Sequence, residues 1–490
     1  MGELRGFLTR HRRGDAERDP TARLADYKEI FLALPQADAR DQGARCMDCG
    51  VPFCHEGCPL GNLIPDWNDL VYRDRWRDAL DQLHLTNNFP EFTGLICPAP
   101  CESACVLDIN DDPVMIKGIE YAIIHRAWEE GWVVPRPPDQ RTGRRVAVIG
   151  SGPAGMAVAA ELNKMGHRVV VLERDEGVGG LMRYGVPDFK LEKWMIDRRA
   201  AVLEEEGIEF RCGVDVGVDV SADELRAEYD AVVICTGSRV HRALEVPGSD
   251  LHGVHLAMDY LYQRNRWVAE QEGGPAPLPR DVPAPDEVLS AKGKHVVVIG
   301  GGDTGMDCIA NAHREGALSV TSYDTYDPLP EDGRYPDSPW PEHPRRTLTT
   351  YALDEGVERR FGTSVLGFDG ADGRVTHARF ARVEGKSTAV EGSDFTVPAD
   401  LVLVAIGFVG PERGVLDQLG VERDRAGNVV GPEYATSVPG VFAAGDARRG
   451  QSLIVWAIAE GRRAARAVDD FLADRHRERG TPALVGAEPG

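Results

Sequence analysis

Up to about residue 140 the apolar positions recur at helical spacing. From Trp67 through Leu83, and again from Ile116 through Trp128, they fall three and four apart, which predicts helices joined by loops. Pro135, Pro137 and Pro138 then mark a linker, and the texture changes. Val146-Ala147-Val148-Ile149 is a short unbroken apolar run, the mark of a strand buried on both faces of a parallel sheet. It enters Gly150-Ser151-Gly152-Pro153-Ala154-Gly155, then an alanine-rich helix ending near Gly166. A second strand follows from Val169 to Leu172 and closes on Glu173. The same order returns later. Val296–Ile299 leads into Gly300-Gly301-Gly302-Asp303-Thr304-Gly305, a helix through His313, and a strand at Val320 and Thr321. Val146, Gly150, Gly152, Gly155 and Met156 correspond to Val296, Gly300, Gly302, Gly305 and Met306. A whole βαβ unit written twice is too long a period for a solenoid and fits two paired domains.

The glycine spacing says what those units hold. In Gly-x-Gly-x-x-Gly the first glycine permits the tight turn, the second lets a pyrophosphate approach the backbone, and the third lets helix and strand pack closely. The helix N-terminus, here at Pro153 and Ala154 in one copy and Asp303 and Thr304 in the other, offers unpaired N–H groups to phosphates. Glu173 ends the second strand about 20 residues on, where a carboxylate accepts ribose hydroxyls. Two dinucleotide sites on one chain predict electron exchange between two dinucleotides. Further segments fit a flavin in the first: Ile234-Cys235-Thr236-Gly237, Val404-Ala405-Ile406-Gly407, and Val441 through Gly445-Asp446, whose carboxylate can hold a polyol hydroxyl. A helix over Gln451–Ala465, with Ser452 at its start, would turn its N-terminus towards the flavin ring.

Composition narrows the classes. The 490 residues suggest two to four domains, and 42% apolar with 28% charged residues is ordinary for a globular chain. A net charge of −23 argues against nucleic acid and anionic membranes as partners. Neither a secretory leader nor a membrane-spanning apolar run is found, so a cytoplasmic protein without stable disulfides is expected. Seven of the ten cysteines fall between Cys46 and Cys105, as Cys46-x2-Cys49-x4-Cys54-x3-Cys58-Pro59 and Cys97-x3-Cys101-x3-Cys105. Such spacings wrap thiolates around an inorganic core, and proline after a ligand is common in iron–sulfur loops. Zinc is the competing metal, since Cys46-x2-Cys49 can open a tetrahedral site. The proline-rich stretches 275–285 and 328–344 read as surface loops without evident chemistry.

Gly150–Gly155, Glu173, Gly179-Gly180-Leu181, Gly237 and Gly445-Asp446 resemble the disulfide-reductase-like flavoproteins that bind FAD and NAD(P)H. The phrase Arg183-Tyr184-Gly185-Val186-Pro187, with Lys190 after it, is similar to one branch of them. That branch holds the small (β) subunits of glutamate synthase and the N-terminal half of dihydropyrimidine dehydrogenase. The resemblance covers essentially the whole chain. It implies an α/β fold with two Rossmann-like domains behind a helical iron–sulfur domain: 1–143 for two 4Fe-4S clusters, 144–243 with 410–490 for FAD, and 244–409 for NADPH or NADH. Two such clusters need eight ligands, one more than the cysteines supply. Carried over from the family's interleaved pattern, Cys46, Cys49, Cys54 and Cys105 take one cluster. Cys58, Cys97 and Cys101 take the other, with Glu120 at the position of a non-cysteine ligand.

The resemblance further implies that NAD(P)H reduces FAD, that electrons leave singly through the clusters, and that a glutamate synthase large (α) subunit receives them. No Ser-His-Asp set or catalytic histidine is expected; His313 and His167 read as helix-end residues. Alone the chain should act only on artificial acceptors. For the nucleotide, Asp324 favours an unphosphorylated ribose, whereas Arg314 is placed to meet a 2′-phosphate. The alternatives are a related reductase subunit with another partner, a stand-alone oxidase, and a redox-sensing flavoprotein with a zinc-stabilised interaction module.

Overall fold

The computed structural model describes residues 2–14, 16–273, 288–328, 338–343, 351–385 and 388–480. The proline-rich stretch 275–285 lies outside these residues, as does most of 328–344.

The apolar run Val146–Ile149 becomes the middle strand, Arg145–Ile149, of a five-stranded parallel sheet. Its neighbours are Ala231–Ile234 and then Val441–Ala443 on one side, and Arg168–Glu173 and then Glu209–Cys212 on the other. Val146, Ala147 and Val148 are fully buried because helices cover both faces. The second sheet repeats this order in four strands and differs at one edge, whose strand comes first in its unit where the first sheet's comes last. His295–Ile299 is central, flanked by Leu401–Val404 and Val254–Leu256 on one side and by Ser319–Tyr323 and Glu358–Arg360 on the other. The repeat read from the glycine spacing is thus a repeat of topology. Thr363–Ala371 and Arg374–Glu384 form an antiparallel hairpin extended by Phe395–Pro398, against the second sheet.

The N-terminal region is helical, with one departure from its periodicity. The stretch expected as one helix through Leu83 is two, Ile64–Tyr72 and Trp76–Thr86. Asp74 sits between them at φ +63°, and its carboxylate accepts the Trp76 indole N–H at 2.8 Å. Val71, Trp76, Leu80 and Leu83 stay buried across the break, so the apolar spacing does not reveal it. The last helix also differs: it runs Ile454–Gly480, beginning after Gln451, whose side chain instead accepts the Phe408 N–H. It lies on the helix Pro153–Lys164, where a Cβ on Gly461 would come within 2.5 Å of the Ala154 carbonyl oxygen.

Three joints hold the layers together. A single apolar core runs from Trp67 and Phe92 into the face of the first sheet at Val146 and Val148. Across it Arg199 makes a bidentate ion pair with Glu91, both side chains buried, and Arg462 reaches Glu161, Asn88 Oδ1 and the Leu85 carbonyl. The N-terminal arm crosses to the second unit, where Ile30 joins its core and fully buried Arg23 pairs with Glu355. Removing one partner of a buried ion pair strands the other charge. Arg199→Met should therefore cost about 3 kcal/mol in urea denaturation. A loss below about 1 kcal/mol would mean that water reaches Glu91.

Candidate functional site

Both glycine turns are built by close packing at their third glycine. A Cβ on Gly155 would lie 1.9 Å from the Gly150 oxygen, and one on Gly305 would lie 2.4 Å from the Gly300 oxygen. No side chain fits at either position without moving the helix off the strand. Between the two turns lies a cavity of about 600 Å³. From the first unit its wall includes Gly150, Gly152, Pro153, Ala154 and Glu173, then Gly180, Leu181 and Lys190. Gly237, Asp446 and Ser452 close that side, and Asp303 and Thr304 enter from the second unit. Gly155, Gly300, Gly302, Gly305 and Gly445 are not in the wall among the described residues. Gly445 packs instead on Ala154, whose Cβ would be 2.7 Å from a Cβ placed there, while Gly302 is exposed at the head of its helix.

The polar atoms of this wall are arranged for a ligand. Glu173 takes hydrogen bonds from the Ser151 N–H and hydroxyl and from the Asp175 N–H; burial pushes its carboxyl above the ordinary carboxylate value. Asp446, raised by burial as well, accepts the Ser452 hydroxyl at 2.6 Å. Thr236 Oγ1 and Ser238 Oγ are buried in the wall with no hydrogen-bond partner among the described residues. Such orphaned hydroxyls beside a large cavity are what a polar ligand would satisfy. Lys190 is held by Asp307 at 2.9 Å, and Tyr351 donates to the same Asp307 oxygen at 2.6 Å. Asp307 and Ser151 are site residues that the motif reading missed. Asp307 falls one helical turn after Asp303, so the spacing carried a signal for it.

Arg314 is not brought to the cavity. Its side chain is fully buried, doubly bonded to Glu355, donating to the Asp26 carbonyl, with the guanidinium 4.0 Å from the Phe189 ring. The N-terminal arm, unreadable from the local motif, claims it. The groups over the second turn are Asp324 and Arg359: a Cβ on Gly301 would meet Asp324 Oδ2 at 2.2 Å and Arg359 Nη2 at 3.0 Å.

The seven cysteines surround two small voids. Cys46, Cys49, Cys54 and Cys105 line one; Cys58, Cys97, Cys101 and Glu120 line the other. Two short helical turns explain the interleaving. Cys54 and Cys58 flank one turn, closed by the Cys58 N–H on the Cys54 carbonyl at 3.1 Å, and each faces a different void. Cys101 and Cys105 divide in the same way around the turn Pro100–Ser103. The two turns touch, since a Cβ on Gly57 would lie 2.4 Å from the Ala104 Cβ, and so the voids stand back to back. Burial pushes all seven thiols above their ordinary value. Thiolates in such surroundings need a cationic core, which is what an iron–sulfur cluster supplies. Among the described residues no three His, Cys, Asp or Glu side chains close on a single metal ion. Glu120 is buried, which drives its carboxyl up to about 7, while Asn87 Nδ2 at 2.9 Å and the Thr93 hydroxyl donate to one of its oxygens.

Residues 144–461 match the family model described as pyridine nucleotide-disulphide oxidoreductase. Residues 23–132 match the model for dihydropyrimidine dehydrogenase domain II, 4Fe-4S cluster. The chain is 54% identical to the glutamate synthase [NADPH] small chain of Mycobacterium tuberculosis over 96% of each chain. It is 46% identical to the protein of that name from Bacillus subtilis, over 96% of this chain and 99% of that one. In fold it is similar to FprA of Mycobacterium tuberculosis in complex with NADPH, with a TM-score of 0.53 at 19% identity, over 71% of this chain and 87% of that one.

The back-to-back voids make Glu120 testable by itself. Glu120→Ala should alter one of two cluster EPR signals and lower the bound iron, leaving the other signal intact. Unchanged iron with two unchanged signals would remove Glu120 from the ligand set.

Proposed function

The chain belongs to the glutamate synthase small-chain family, and we propose the following division of labour for its three units. Residues 1–143 hold two 4Fe-4S clusters, 144–243 with 410–490 hold FAD, and 244–409 hold NADPH. The protein is an NAD(P)H-dependent oxidoreductase, the electron-input component of glutamate synthase. FAD held there would supply the chemistry that converts hydride from NADPH into single electrons for the clusters.

The chain's own residues orient and insulate. The helix N-termini at Pro153 and Asp303 line the cavity from opposite units, and each would hold one dinucleotide's pyrophosphate. Lys190, charged against Asp307, sits where the units meet. No acid–base pair is required of these residues, since the chemistry the bound cofactors would supply is hydride transfer.

The observation that carries the reading is the order of the walls. Ile96 and Pro98 line the cavity, and Cys97 between them lines the void of Cys58 and Cys101. Val455 lines that same void, while Ile454 and Ala457 beside it line the cavity. The Cys46 void shares no wall residue with the cavity, and Val51, between its wall residues Cys49 and Pro52, is 63% exposed. This order supports a path from the cavity through the Cys58 site to the Cys46 site and on to a partner. That partner is a glutamate synthase large chain, which makes L-glutamate from L-glutamine and 2-oxoglutarate. No helix among the described residues is long and apolar enough to cross a membrane, and we place the reaction in the cytoplasm. NADPH is the preferred donor, with Arg359 over the second turn as the cation for its 2′-phosphate.

With NADPH the full chain should reduce ferricyanide and form no glutamate until the large chain is added. Arg359→Ala should lower kcat/KM for NADPH about tenfold, or 1.4 kcal/mol, and leave NADH unaffected. Glutamate made by the chain alone would refute the division of labour; equal losses with both nucleotides would refute the role of Arg359.

A further inference from the structure

A short segment of the second unit lies far from its own fold. Residues 338–343 fall between the strand Ser319–Tyr323 and the helix Tyr351–Asp354, yet they pack on the cysteine region. The indole N–H of Trp340 donates to the carbonyl of Cys105 at 3.1 Å, across 235 positions of sequence. The Trp340 ring packs on Phe53, with centroids 4.8 Å apart. Three residues on, His343 Nδ1 lies 3.2 Å from the Ser103 hydroxyl, and Ser338 at the start of the segment is 2% exposed. The proline-rich stretch expected to be an idle surface loop therefore carries, in its described part, a specific contact.

Both principal partners of Trp340 are wall residues of one void. Cys105 and Phe53 line the site of Cys46, Cys49 and Cys54, and neither lines the site of Cys58, Cys97 and Cys101. The outer site is the one with water nearby: Cys49 and Cys54 are only partly buried, and Val51 between them is exposed. The potential of an iron–sulfur centre is set by hydrogen bonding around its sulfurs and by access of solvent. A fixed carbonyl on one ligand's backbone and a ring behind the adjoining aromatic wall bear on both.

We infer that Trp340 is a positioning residue for the outer cluster, by which the nucleotide-binding unit holds the Cys105 ligand and keeps water from the Cys46 site. The inference rests on the proposed ligand sets. The indole acts in two separable ways, through its N–H on the Cys105 carbonyl and through its face on Phe53. Trp340→Phe removes only the first, and Trp340→Ala removes both.

The test is potentiometric EPR on the full flavin- and iron-loaded chain, with Cys54→Ser marking which signal belongs to the outer cluster. Trp340→Ala should shift the midpoint of that signal upward, as water enters, and speed its bleaching by oxygen severalfold. Trp340→Phe, which keeps a ring against Phe53, should give a smaller shift and no faster bleaching. The inner signal and the rate of flavin bleaching by NADPH should not change. Loss of iron from the outer site alone in Trp340→Ala would support the same role. Unmoved potentials at full iron content, or equal shifts in both clusters, would overturn it. A Cys54→Ser variant that changed neither signal would overturn the ligand sets and this inference together, whereas a clean assignment with unmoved Trp340 variants would overturn the inference alone.

Discussion

One helical turn separates Cys54 from Cys58, and the arrangement of the electron path depends on it. Because Cys54 lies in the short helix Phe53–Gly57, Cys58 follows its end, and the two line different voids, one turn of backbone joins the two chambers proposed to hold metal. The turn Pro100–Ser103 repeats the device with Cys101 and Cys105, and Gly57 lets the two turns touch. The thiols themselves oppose this: burial raises every one of them, so the apolar chambers favour neutral sulfur until a cationic core is present. Metal assembly and folding of the N-terminal region are in this sense one process.

A path of this kind works only if its stations do not move apart, and the buried ion pairs serve that constraint. Glu91–Arg199, with the bonds of Arg462 to Asn88 and Leu85, ties the cluster region to the first sheet's helices, while Arg23–Glu355 carries the N-terminal arm into the second unit. Replacing such pairs by apolar residues can be neutral for stability, so their value lies more in fixing relative position than in net energy. Arg314 illustrates the cost to motif reading. It stands at the end of the second dinucleotide helix, where a phosphate-binding cation is expected, but the arm recruits it to Glu355. Lys190 crosses the joint in the opposite direction, from the first unit to Asp307 of the second.

The fold was largely legible because its signals are local. Four apolar residues before each glycine turn specify a doubly covered strand, and the repeated spacing at 150–156 and 300–306 specifies repeated topology. The cysteine partition was legible only through family resemblance, since spacing alone does not say which void a thiol faces. What the apolar pattern could not reveal is the break at Asp74, the capture of Arg314, and the reach of Trp340 to Cys105. The last two are decided by residues tens to hundreds of positions away, and the first by a single left-handed residue that leaves the apolar spacing intact.

The central claim is directional: electrons pass from the cavity to the Cys58 site before the Cys46 site. Freeze-quench EPR of the loaded chain, mixed anaerobically with NADPH, tests it in a Cys101→Ser variant whose inner site lacks one thiolate. The account predicts flavin bleaching at the normal rate and an outer-cluster signal that fails to appear, or appears at least tenfold more slowly. An outer cluster reduced as fast as in the unaltered chain would contradict the path.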